Sequence, residues 1–173
     1  MNKLLLSRMI IFVLSLFVSV SLHAENNAQL QNEAKVLLSW INVHSKYAHE
    51  IFSLIPPRVE MRPRDFFESV ACRSKDATPQ GVRTCRRVAW YDGGEVVYIL
   101  DTLDLSTARG DSYVLHELTH WVQEKSGKFT MGNECDDALR EKEAYLLQQE
   151  YIVDQGQYST LVVFITLPID CKM

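Results

Sequence analysis

The chain has 173 residues, 47% of them apolar and 23% charged, with 18 basic against 22 acidic side chains and a formal net charge of -4. That composition suits one globular domain and excludes a disordered, collagenous or coiled-coil chain. Its acidic balance argues against a nucleic-acid partner.

Lys3 and Arg8 flank an apolar run, Met9 to Val20, which leads through Ser21-Leu22-His23-Ala24 into the polar Glu25-Asn26-Asn27. Basic, apolar and small-residue segments in that order predict a secretory signal over residues 1–24, and with it a periplasmic or secreted protein. Leu4 to Val20 is broken by Ser7, Arg8 and Ser15 and falls short of the ~20 apolar residues of a spanning helix, so no stable membrane insertion is expected. Leu22 is not small, which leaves the exact cleavage bond open. Residues 25–173 suffice for a single core.

All four cysteines, Cys72, Cys85, Cys135 and Cys171, follow the leader. An even count in an oxidising compartment favours disulfides, and the close paired spacing of a cysteine zinc site is missing. Of three possible pairings, Cys72 with Cys85 and Cys135 with Cys171 are preferred. The first closes a polar loop rich in turn formers, and the second ties the C-terminal segment to the body.

Along the chain, Ala28 to Leu54 predicts a helix, with Leu30, Ala34, Leu37, Leu38, Ile41, Ala48, Ile51 and Phe52 largely on one face. Pro56-Pro57 ends it. Val59 to Arg87 reads as a basic loop. Val88 to Tyr91, Asp92-Gly93-Gly94 and Glu95 to Leu100 predict strand, tight turn and strand. Asp111 to Lys125 predicts a helix capped near Gly127, and a second runs from Glu134 or Asp137 to Gln155, stopping at Gly156. Thr160 to Leu167 predicts a last strand. Helices around a small sheet make the fold class α+β.

One constellation stands above this background: His116-Glu117-Leu118-Thr119-His120, an H-E-x-x-H arrangement inside a predicted helix. Chance alone would place it in a chain of this composition about once in a hundred. Side chains four apart on a helix share a face, so His116 and His120 can both reach one zinc ion. Glu117 points about 100° further round, beside the metal, where it can take a proton from water. His44 and His49 read as ordinary surface residues.

A catalytic zinc needs a third protein ligand. No histidine follows His120, which leaves the carboxylates Glu134, Asp136, Asp137, Glu141, Glu143, Glu150 and Asp154. Glu143 shares a helix face with Leu139, Leu146 and Leu147 and is the preferred ligand, whereas Glu141 lies nearer Asp137 and Gln148.

With these residues the chain resembles the zincin metallopeptidases of the gluzincin type, in which H-E-x-x-H on one helix is completed by a Glu on a following helix. Glu143-Ala144-Tyr145 is similar to the segment carrying that ligand, and Glu95 to Leu100 to the edge strand that holds extended peptide. The resemblance covers roughly Val88 to Tyr151. It implies a small single-domain zincin-like fold, zinc as cofactor, a peptide or protein substrate, and Glu117 as general base. Two positions depart from the pattern: Leu147 stands where many large members carry a histidine-orienting Asp, and no downstream His is present to steady an oxyanion. Tyr145, Tyr151 and Tyr158 are the candidates for that last role. The reading is an exported zinc-dependent hydrolase, with a metal-binding or regulatory module of the cell envelope as the alternative.

Overall fold

In the computed structural model, which describes residues 28–47, 55–72, 85–130 and 132–158, the first element is a helix over residues 28–44, α1. Leu30, Ala34, Leu37, Leu38 and Ile41 are buried along it, as their spacing predicts. The helix expected to continue to Leu54 is interrupted after residue 44. There Ser45 Oγ accepts the Tyr47 N–H, a local turn that withdraws this amide from the helical ladder. Ala48, Ile51 and Phe52 lie outside the described residues, as do the leader over residues 1–24 and the strand expected from Thr160 to Leu167.

Arg58–Arg62 forms a strand, β1, inside the stretch that reads as a basic loop. Val59 and Met61 alternate with charged residues, but only Val59 is buried, so the apolar signal is thin. β2 (Ala89–Tyr91) and β3 (Val96–Leu100) occupy the predicted strand–turn–strand, with Gly93 supplying the positive φ of the turn. The sheet order is β1-β3-β2, with β1 parallel and β2 antiparallel to β3. This corrects the expected edge strand. Glu95 to Leu100 supplies the central strand, because β1 occupies its open side from Arg58↔Val96 to Arg62↔Leu100. The edge beside the helix that carries H-E-x-x-H is β2.

Between β1 and β2, a short helical turn, α2 (Arg64–Phe66), continues as a wider π turn over Phe67–Ala71 and reaches Cys72. Cys72 is bonded to Cys85, the first of the two expected disulfides. The other, Cys135 with Cys171, involves a residue outside the described ones. Arg64 Nη1 donates to the carbonyl oxygens of Cys85 at 3.2 Å and Arg87 at 2.7 Å, fixing the approach to β2.

α3 (Ala108–Lys125) begins one turn before the expected Asp111, because Thr107 is the cap: its side chain accepts from the Gly110 N–H. Gly110 allows the helix to start against the preceding loop, since a Cβ there would lie 1.9 Å from the Asp104 carbonyl oxygen. Lys125 closes the last turn, and Gly127 follows with φ 65, the expected left-handed stop. α4 (Glu134–Asp154) is capped by Asn133, which accepts from the N–H groups of Cys135 and Asp136. Its buried residues are Arg140, Ala144, Leu147, Gln148, Tyr151 and Ile152. The core joins α1, the inner sheet face (Val59, Ala89, Tyr91, Val97, Ile99), α3 (Val114, Leu115, Leu118, Trp121, Val122) and α4. Each large apolar side chain so buried is worth about 1.5–3 kcal/mol. No helix among the described residues is long and apolar enough to cross a membrane.

Asp111, in the first turn of α3, carries a pH-dependent contribution to stability. Burial, and then the charge of Glu33 on α1, push its carboxyl from 3.8 to about 6, while the Tyr151 hydroxyl pulls the other way. A pKa raised in the folded state means that the fold favours the protonated acid. That favourable contribution is present below about pH 4 and is lost as pH rises through about 6. Asp111→Asn, neutral throughout, is therefore expected to melt above wild type near neutral pH and to lose its advantage towards pH 4. Thermal melts at the two pH values check this, and equal differences at both would contradict it.

Candidate metal centre

α3 and α4 pack against each other, and their contact builds the site. His116 and His120, one turn apart, are both buried, and their Nε2 atoms face each other at 3.1 Å. Glu141 of α4 completes the group: its Oε2 lies 3.4 Å from His116 Nε2 and its Oε1 3.3 Å from His120 Nε2. These three donors could hold a metal ion. Ligands at zinc–nitrogen and zinc–oxygen lengths of about 2.0–2.2 Å in a tetrahedron are spaced about 3.3–3.6 Å apart, close to the separation of the two Nε2 atoms and of each from its nearer Glu141 oxygen. Two imidazoles and one carboxylate at this spacing could hold a metal ion such as zinc.

Glu143, the ligand expected from the sequence, is elsewhere. Its Oε2 accepts from the Tyr47 hydroxyl at 2.6 Å and from Gln123 Nε2 at 2.9 Å, and its Oε1 meets Lys46 Nζ at 2.9 Å. The reason is helical phase. The centre of the buried face of α4 runs through Arg140, Ala144, Leu147 and Tyr151, and Leu146, counted as inward in the sequence reading, is 51% exposed. At about 100° per residue, Glu141 and Glu143 lie on opposite flanks of that face. The flank with Glu141, Tyr145 and Gln148 turns towards the histidines, and that with Glu143 turns towards the end of α1.

Burial pushes the His120 pKa down, but its hydrogen bonds to Glu141 and Gln123 and the charges of Glu117 and Glu141 outweigh it and leave it raised. Glu141 shows the reverse balance: burial raises its carboxyl, and the two histidines hold it well below the usual carboxylate range.

Glu117 sits beside the group and is not one of its donors. Its Oε2 accepts the Tyr91 N–H at 2.8 Å, so edge strand β2 fixes the carboxylate. Tyr145 stands over His116, ring centroids 4.4 Å apart, in the same cleft. Tyr151 instead lies 3.4 Å from Asp111, and Tyr158 is 99% exposed away from the histidines. The cleft measures about 680 Å³, and Arg86, Arg87 and Trp90 of the β2 side line it together with the H-E-x-x-H residues.

His44 is on the surface as expected, stacked on Trp40 and paired with Glu150 and Asp154. The sequence reading passed over Gln123, whose Oε1 lies 2.9 Å from His120 Nδ1. Its signal was available: a polar residue three positions after the second histidine, on the same side of the helix. Comparisons with family models, curated proteins and solved structures find no match, so the site stands on its geometry.

Proposed function

We propose that this chain is an exported zinc-dependent hydrolase, a metallopeptidase of the gluzincin kind. One observation carries the reading: two histidine nitrogens and a carboxylate converge in an open cleft with a second, non-ligating carboxylate, Glu117, held beside them. His116, His120 and Glu141 would hold the ion. Zinc bound there supplies a Lewis acid for a scissile carbonyl and acidifies a bound water.

The other roles belong to the chain. Glu117 accepts the proton of the attacking water and returns it to the leaving amine. Its hydrogen bond to Tyr91 N–H keeps one oxygen occupied and the carboxylate aimed. The Tyr145 hydroxyl, alone of the three candidate tyrosines in this cleft, donates to the developing oxyanion. Val88 O accepts from Leu100 N and Asp92 N donates to Val96 O, so the backbone at Ala89 turns away from β3. That outward edge can pair with an extended peptide. The disulfide between Cys72 and Cys85 supports an oxidising, exported setting.

The test is hydrolysis of an unstructured protein and a mixed peptide library by purified protein. Cleavage that a chelator removes, zinc restores and Tyr145→Phe slows by about tenfold or more at unchanged zinc content supports the peptidase. Zinc binding without cleavage across the library would favour the metal-binding module.

A further inference from the structure

The carboxylate that misses the metal has another place in the site. Gln123 is fully buried, and its Nε2 donates to two acceptors, the Arg140 carbonyl oxygen at 3.0 Å and Glu143 Oε2 at 2.9 Å. Both are oxygens without protons to give, so the amide cannot be turned over: a flipped side chain would set oxygen against carbonyl and carboxylate. Gln123 Oε1 must therefore face His120 and accept from Nδ1–H at 2.9 Å. With the proton on Nδ1, the lone pair of His120 is on Nε2, the atom that faces His116 and Glu141.

Glu143 holds Gln123 in that sense and is itself held. The Tyr47 hydroxyl donates to Glu143 Oε2, and Lys46 Nζ contacts Oε1. Tyr47 is fully buried at the turn after α1. A continuous chain of hydrogen bonds thus runs from Tyr47 through Glu143 and Gln123 to His120, linking the turn after α1 to α4 and α3. His116 has no such anchor: its buried Nδ1 has no hydrogen-bond partner among the described residues.

We propose that Gln123, Glu143 and Tyr47 are positioning residues that fix the tautomer and ring orientation of His120 for metal binding. The inference rests on the metal-site reading. Partners behind a metal-binding histidine typically govern its affinity 10–100-fold. Glu143 serves here by accepting two hydrogen bonds at Oε2, where an amide oxygen can replace it, the exposed Lys46 being free to turn away from Oε1.

Zinc affinity by chelator competition, with the visible bands of cobalt-substituted protein, tests this on the full mature chain. Gln123→Leu and Glu143→Ala are expected to bind one zinc per chain about 10–100-fold more weakly than wild type. Glu143→Gln, which keeps an acceptor oxygen for Gln123 and Tyr47, should restore affinity and cobalt bands to wild type. Tyr47→Phe, which removes one hydroxyl and preserves the packing, should weaken binding and shift the bands in the same direction as Glu143→Ala. Should Gln123→Leu fail to fold, the two Glu143 variants and Tyr47→Phe decide the matter. Wild-type affinity in Glu143→Ala and Tyr47→Phe overturns the proposal. So does loss of zinc from Glu143→Gln as complete as from Glu143→Ala, because Glu143 would then be a ligand. A wild-type chain that binds neither zinc nor cobalt overturns the metal-site reading itself.

Discussion

Glu141→Ala and His120→Ala are both expected to abolish stoichiometric zinc binding, whereas Glu143→Ala is expected to retain one zinc per chain at reduced affinity. The contrast follows from position. Both Glu141 oxygens lie within 3.4 Å of a histidine Nε2, and the Glu143 oxygens are committed to Tyr47, Gln123 and Lys46. Removing one of three protein ligands from a zinc site takes away a bond and the charge that neutralised the ion. Removing a partner behind a ligand loosens one bond. Elemental analysis of dialysed wild type and the three variants reads the outcome directly. Full occupancy in Glu141→Ala together with zinc-free Glu143→Ala would restore the assignment first drawn from the sequence.

That assignment shows how far the sequence carries. The histidine pair was legible because it needs only the local rule that residues four apart share a helix face, and α3 forms where its capping and apolar spacing put it. Which carboxylate on α4 meets the pair depends on the phase of a second helix against the first. The long polar residues Arg140 and Gln148 occupy buried positions that an apolar count does not find, and Leu146 looks inward but is exposed. Two residues of helix, Glu141 to Glu143, turn about 200°, so a small error in the centre of the face exchanges one flank for the other.

The sheet was half legible for a similar reason. β2 and β3 announce themselves through a tight turn between β-branched and aromatic residues. β1 pairs in parallel with β3 across a long connection, and its Arg-Val-Glu-Met-Arg sequence buries one side chain. Nothing local reveals that this segment takes the open side of β3. Once it does, β3 is central and β2 is the edge beside α3, where the Tyr91 amide holds Glu117. No local pattern gives that contact.

The hydrogen bond from Tyr91 also shapes the expectation for Glu117→Gln, which is a fall in hydrolysis of 10²–10⁴-fold or more with zinc content and melting temperature unchanged. Glutamine keeps the volume and an acceptor oxygen for the Tyr91 N–H, so β2 and α3 stay joined. Both histidines and Glu141 remain free to hold the ion. The variant loses only the ability to accept and return a proton, the contribution general acid–base catalysis makes to a slow hydrolysis. Pairing metal analysis with rate measurements separates this from a damaged site, since a ligand defect lowers zinc content and rate together. Glu117→Gln cleaving the same library at the wild-type rate would remove Glu117 from the chemistry, leaving a carboxylate whose task is to fasten the edge strand to the helix.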